Sequence, residues 1–446
     1  SDNISSNLWR ETWSSLGSGS NHTPINGELG SFYRPDGLLA NSKLKWETTI
    51  SRNFGIDFGF LNNRVNGSLE VYWNTTKDLL MAVPVDNTTG YSYQFQNFGK
   101  TSNRGIELSV NVDVINKGDF RFNVGAIYNY NRNKLDELPN ADQYLYSSYW
   151  GSSSLVPTND YMFVEGKAIG LVRGFINEGY YTVDDFNYTN GQYVLKEGVP
   201  DITKALTATY MHPYDLPAGQ TAFPGAAKFR DVDESGTVDL DDATCLGEVM
   251  PRHTGSFQLN FNYKNFDLST NFNWTAGGKV YNVAAMINAS GQEFDGIGAQ
   301  RASWVADAFK VYNVNAAGDL YAVTNPDELR ALNANAKYHL PYHQSGITSS
   351  EWLENGSYLR LQTLTLGYTL PKNWLTKVHV DKIRLYLTAT NLFTITGYSG
   401  IDPEVNANPT GQSGFYSDLR IFPTLNMDFG TYPRARTFTF GANITF

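Results

Sequence analysis

Thr437-Phe438-Thr439-Phe440-Gly441-Ala442-Asn443-Ile444-Thr445-Phe446 is the stretch whose reading decides the fold class. Successive side chains of an extended strand point to opposite faces, so residues two apart share a face. Phe438, Phe440, Ala442, Ile444 and Phe446 therefore line one face, and Thr437, Thr439, Gly441, Asn443 and Thr445 the other. One side is greasy and the other small or polar.

Moving upstream, the same alternation recurs over residues 383–391, 360–368, 266–274, 257–263, 120–129, 108–114, 69–74 and 54–60. Nine strands are predicted. The links between them fall into two classes. Residues 61–66, 115–119 and 264–265 are short and rich in Asn and Gly, as tight hairpins require. About 131–250, 282–355 and 397–435 are long. Short and long links alternate, so the short turns share one side and the long loops the other, which is the plan of a transmembrane barrel. Links of that length are unusual in a compact soluble domain. Tyr72, Trp73, Tyr128, Tyr130, Trp274, Tyr281, Tyr368 and Trp374 gather near strand ends and read either as aromatic girdles at headgroup level, which the alternation of the loops favours, or as ordinary core and strand aromatics.

Composition agrees. Among 446 residues, 14% are aromatic and only 17% charged, a mixture that favours strands and loops. A net charge of −10 without a basic run argues against a nucleic-acid partner. Cys245 is the single cysteine, which excludes an intrachain disulfide and a multi-cysteine zinc site. No apolar run approaches the ~18 residues of a membrane-crossing helix, but spanning strands leave no such run. The chain opens Ser1-Asp2-Asn3 with neither an initiator Met nor a signal segment, and is expected to be an internal or processed piece of a longer protein.

Residues 231–242, Asp-Val-Asp-Glu-Ser-Gly-Thr-Val-Asp-Leu-Asp-Asp, fit an EF-hand-like calcium loop. Asp231, Asp233, Ser235 and Asp239 supply oxygens at positions 1, 3, 5 and 9, Thr237 a carbonyl at position 7, and Gly236 the sharp turn at position 6. Asp242 stands at position 12, where the longer Glu usually ligates with both oxygens. A solvated acidic turn without metal is the plain alternative. No organic cofactor motif, nucleophile elbow or phosphate-cradling glycine motif occurs, and no catalysis is expected.

Several stretches resemble the SusC/RagA class of TonB-dependent transporters of Bacteroidetes outer membranes. They begin with Leu44-Lys45-Trp46-Glu47, Gly55-Ile56-Asp57-Phe58-Gly59-Phe60 and Asn63-Arg64-Val65-Asn66-Gly67. Asn97-Phe98-Gly99-Lys100, Asn103-Arg104-Gly105-Ile106-Glu107-Leu108 and Glu165-Gly166-Lys167-Ala168-Ile169-Gly170 follow. The most distinctive are Asn355-Gly356-Ser357-Tyr358-Leu359-Arg360-Leu361, Leu366-Gly367-Tyr368, Asn391-Leu392-Phe393 and Tyr398-Ser399-Gly400-Ile401-Asp402-Pro403-Glu404.

The resemblance implies the C-terminal part of an all-β, antiparallel transmembrane barrel of about 22 strands, whose plug lies outside this chain. It further implies an outer-membrane location and import of oligosaccharides or oligopeptides. A SusD-like surface lipoprotein would serve as lid, and TonB would act through the plug. On this reading Phe438, Phe440, Ile444 and Phe446 resemble the terminal signal read by barrel-assembly machinery. Tyr144, Tyr146, Tyr149 and Trp150, together in one long loop, are expected to touch substrate or lid, or else to hold that loop together. Two other functions suit an all-β chain: a soluble extracellular glycan-binding or adhesive module, and a passive porin.

Overall fold

The computed structural model describes residues 38–91, 93–97, 99–138, 143–148, 155–207, 212–290, 302–340, 346–375, 380–405 and 425–446, with the backbone of four short strands before residue 38. Nine long strands form one antiparallel sheet: β1 (Thr48–Phe60), β2 (Val65–Lys77), β3 (Lys100–Lys117), β4 (Phe120–Glu137), β5 (His253–Tyr263), β6 (Phe266–Ala276), β7 (Tyr358–Thr369), β8 (Lys382–Thr396) and β9 (Thr437–Thr445). Each long strand pairs with the next along the chain, so the sheet is a meander with β1 and β9 at its edges. All nine predicted strands lie within it.

The register carries the apolar face across the whole sheet. Ile56 opposes Leu69, Leu69 opposes Leu108, and Leu108 opposes Tyr128. Further on, Phe257 opposes Phe272, Leu268 opposes Leu366, Leu366 opposes Leu387, and Leu387 opposes Phe440. A one-residue slip anywhere would swap the two faces, so the match at every pair reflects sequence patterning on all nine strands. These side chains have no cover: Phe54 is 60% exposed, Phe266 53%, Leu387 43% and Phe440 74%. A soluble sandwich would bury this face against a second sheet. On β4 the band runs from Phe120 to Tyr130, eleven residues, or about 34 Å along the strand and about 25 Å across once tilted. That height is the height of a bilayer's hydrocarbon layer.

The opposite face is polar and internally hydrogen-bonded. Asn123 Nδ2 donates to Asn111 Oδ1 at 3.0 Å and Asp113 Oδ1 at 2.9 Å, and Ser269 Oγ donates to Asn260 Oδ1 at 2.7 Å. Asn271 and Asn273 both donate to Gln362 Oε1. Arg384 grips Asp267 through Nε at 2.9 Å and Nη2 at 2.5 Å, directly above Gly367, where a Cβ would stand 2.5 Å from either partner. Tyr72 also lies on this face, its ring flat over Gly105, so it belongs to no lipid-facing girdle. Alternation counted from Val71 and Trp73 places it there. Tyr281 is the second correction, being fully buried among the loops. Trp73, Tyr128, Tyr130 and Trp274 do stand on the apolar face near the long-loop end, with Tyr368 against Phe266 near the other end.

Short links at 61–64, 118–119 and 264–265 join β1–β2, β3–β4 and β5–β6, and 370–381 joins β7–β8. Gly118 (φ 57°) and Lys264 (φ 51°) take the left-handed conformation that two-residue hairpins need. The long links are 78–99, 138–252, 277–357 and 397–436, all at the opposite end. Strands run further than expected, most of all where β3 begins at Lys100 and β4 continues past residue 131 to Glu137, because the two extend equally far and pair with each other above the apolar band. The long links build a layer with two apolar cores. Residues of all four, among them Met81, Tyr161, Met286 and Met427, meet in one core with Leu135 of β4. The second core, around Phe175, Phe223, Phe229 and Phe309, joins links 138–252 and 277–357. Among the described residues no helix is long and apolar enough to cross a membrane.

Candidate functional site

The chemistry of this chain is concentrated in the loop layer and where that layer meets the polar face. Within link 138–252, Gly236 (φ 87°) and Glu234 (φ 59°) turn the backbone of residues 231–242 back on itself. The turn brings carboxylate oxygens of Asp231, Asp233 and Asp242 within 4.8 Å of one another. Asp231 accepts the amides of Ser235 and Gly236, and the amide of Ser235, then its hydroxyl, hold the Asp233 carboxyl below its usual range. Asp242 is fully buried; its Oδ1 accepts the amide of Val232 at 2.5 Å and its Oδ2 that of Asp239 at 2.8 Å. Ser235 Oγ lies 3.0 Å from the Thr237 carbonyl. Three carboxylates, a hydroxyl and a carbonyl thus converge, a hard-oxygen set of the kind calcium takes. Asp239 is the exception, since its carboxylate accepts the amide of Asp241 and caps the short helix Leu240–Asp242.

The four aromatic residues proposed as contacts fare unevenly. Tyr146 is 4% exposed, stacked on Phe163 at 4.7 Å and Tyr161 at 5.5 Å, so it presents no face to substrate or lid. Its strand 143–146 pairs with 161–164, which turns the ring into the core. Burial, and then the neighbouring Asp160, push its phenol well above the ordinary range and keep it protonated. Tyr144 is half-buried against the same core. Tyr149 and Trp150 lie outside the described residues. The terminal-strand residues Phe438, Phe440, Ile444 and Phe446 are exposed, those on β9 on the apolar face.

Sequence reading left one site without a role. Arg360 sits on the polar face of β7 beside Asn273, 2% exposed. Its Nη2 reaches Asp402 Oδ1 at 2.5 Å, its Nη1 Glu404 Oε2 at 2.9 Å, and its Nε Thr394 Oγ1 at 3.1 Å. Glu404 also accepts from Arg434. The start and end of link 397–436 are thereby clamped to the wall. The available signal was a cation inside an alternating strand together with the two acids of Ile401-Asp402-Pro403-Glu404.

The second core has its own electrostatic fastening. Lys228 meets Asp185 at 2.8 Å, and Thr182 donates to the same carboxylate through amide and hydroxyl. Burial alone would raise the Asp185 pKa; Lys228 and Thr182 outweigh it and lower the pKa. A depressed carboxyl contributes stability above its unfolded pKa and loses it as pH falls through the folded value. Acidification below about pH 4 is therefore expected to loosen residues 177–202 and 227–229, read as lower protection against hydrogen exchange relative to the intrinsic rate at each pH. Asp185→Asn should show that looseness already at neutral pH. Protection in this unit that stays constant through acidification in the wild type would refute the assignment.

Over residues 12–392 the chain matches the family described as TonB dependent receptor-like, beta-barrel. It is 30% identical, over 92% of its length, to TonB-dependent receptor P3 of Formosa agariphila, covering 35% of that protein. To TonB-dependent receptor SusC of Bacteroides thetaiotaomicron it is 27% identical over 91% of its length, covering 32%. Among solved structures it is similar to the RagAB peptide transporter, with a TM-score of 0.65 at 20% identity over 98% of this chain and 39% of that one. At that identity the likeness is one of fold. The chain spans about a third of the length of the curated relatives it matches.

Proposed function

This chain belongs to the TonB-dependent receptor-like β-barrel family, and on that premise we propose that it forms wall and loop layer of an outer-membrane importer for oligosaccharides or oligopeptides. The observation that carries the reading is the gathering of all four long links into one packed layer at a single rim. A passive pore needs no such layer, and a soluble binding module has no use for an uncovered apolar band. The long-loop rim would face outward and receive a SusD-like surface lipoprotein as lid. Strands and a plug in the rest of the protein would close the barrel, with TonB acting on the plug. One of the similar solved structures is a peptide transporter, which puts oligopeptides beside oligosaccharides as the cargo classes to test.

Mild-detergent extraction of membranes, followed by mass spectrometry of what copurifies, tests the assembly. A surface lipoprotein and a plug-bearing polypeptide region in near-equal amount are expected. Recovery alone from the soluble fraction would overturn the reading. Uptake of labelled oligosaccharides and oligopeptides should stop when the proton-motive force is collapsed; uptake that continues would mean a passive pore.

We further propose that residues 231–242 bind calcium and thereby stiffen the loop layer, with Asp231, Asp233, Asp242, Ser235 Oγ and the Thr237 carbonyl as ligands and Asp239 acting through water at most. The convergence of three carboxylates supports it. Calorimetric titration with calcium should show one site, and Asp231→Asn with Asp233→Asn should weaken it about tenfold or more, since affinity follows ligand charge. Chelation should then speed proteolysis within link 138–252. No heat of binding in the wild type would discard the proposal.

A further inference from the structure

We propose that the apolar face of β1–β4 carries a site for the phosphate of a lipid headgroup, formed by Arg52, Arg104 and Arg132 around Trp73. Cross-strand register sets these four residues in one row: Arg52 opposes Trp73, Trp73 opposes Arg104, and Arg104 opposes Arg132. Each lies two residues beyond a member of the uppermost apolar row, Phe54, Val71, Ile106 and Tyr130, and so shares its face. The three arginines are exposed and Trp73 is 43% exposed. Elsewhere on the strands, Arg121, Arg360 and Arg384 alternate onto the polar face.

Two features of the row point to an anion. Like charges set directly opposite each other on neighbouring strands repel, and Arg104 and Arg132 are such a pair. Among the described residues no carboxylate forms an ion pair with Arg52, Arg104 or Arg132. Of the basic residues closer to the loops, Lys100 is neutralised by Glu137 at 2.8 Å and Lys134 by Asp136 at 3.4 Å, while Lys77, opposite Lys100, has no ion pair among the described residues. The uncompensated charge is therefore densest at the level of the three arginines.

That level identifies the source of the anion. The row stands where the apolar band ends at the long-loop rim, the depth of headgroups rather than of bulk solvent. Guanidinium forks match phosphate oxygens bidentately, and an indole at this depth sits at the boundary between acyl chain and headgroup. A lipid places its phosphate against the arginines and its chains against Phe54, Val71, Ile106 and Tyr130 in a single pose. A free phosphate ion would leave that apolar row unserved. The inference needs only the membrane wall, not the import reading.

The test uses the intact protein containing this chain, in mild detergent, titrated with phosphatidylglycerol or with phosphatidylcholine and read by native mass spectrometry. Wild type should retain phosphatidylglycerol in preference to phosphatidylcholine. Arg104→Gln and Arg132→Gln should each lower retention about fivefold, from the attraction of one basic side chain to an anionic headgroup layer, while Arg104→Lys with Arg132→Lys should keep most of it. Retention of both lipids equally by wild type would overturn the proposal whatever the variants do. So would displacement of phosphatidylglycerol by millimolar inorganic phosphate, which would make the row a free-anion site. Absence of energised import by the wild type with lipid retention intact would refute the proposed function and leave this site standing.

Discussion

Replacing Arg360 with leucine is expected to free the link 397–436 from the barrel wall, at a cost of about 3–5 kcal/mol, the range for breaking a buried ion pair by removing one partner. The guanidinium is 2% exposed and satisfies Asp402, Glu404 and Thr394 together; Asp402 is itself only 8% exposed. Leucine would leave the Asp402 carboxylate buried without its counter-ion. The link then escapes to water, which is cheaper than burying the charge. Hydrogen exchange should rise at residues 398–405 and 425–434 while the amides of β7 and β8 stay protected. Arg360→Lys keeps the charge without the fork and should fall between the two. Unchanged protection in the leucine variant would show that the hydrophobic contacts of Met427 and Tyr398 hold the link unaided.

Adjacent residues on β8 provide the second large effect. Leu387 opposes Leu366 and Phe440 on the apolar face, and Thr388 opposes Thr365 and Thr439 on the polar one. Arginine at 387 should cost about 2–4 kcal/mol, the range for a basic side chain facing lipid near mid-depth, and sharply reduce folded protein in the membrane fraction. Arginine at 388, on the polar face, should be tolerated far better. Heat-modifiable mobility on a gel separates folded from unfolded barrel and reads both. Equal losses would mean that the two faces do not differ in solvent. The same logic makes Phe438, Phe440, Ile444 and Phe446, exposed at the edge strand, the residues whose loss should slow barrel assembly.

Period-two patterning encodes a face locally, and every strand declared its own. Ile56, Leu108, Leu268 and Leu387 could be assigned to one surface before any contact was known, and the register then joined them. Turn chemistry was equally local: Gly118-Asp119 and Lys264-Asn265 announce hairpins through their short polar links. The acidic cluster was legible because its carboxylates lie within twelve residues, although Asp239 turned out to serve a helix cap. Loop aromatics were not legible. Nothing near Tyr146 in sequence says that Tyr161 and Phe163 return beside it, nor that Tyr281 meets Tyr161 from another link.

What the sequence by itself determined is thus the wall: strand number, facing, turn side and family, all carried by short-range alternation in a sheet whose neighbours follow chain order. What only the tertiary structure decided is the layer above it. The burial of Tyr146, the clamp of Arg360 on Asp402 and Glu404, and the row of Arg52, Arg104 and Arg132 each depend on residues brought together from separate strands or loops. Charge and burial are properties of neighbourhood, and neighbourhood there is set by packing across long links rather than by position along the chain.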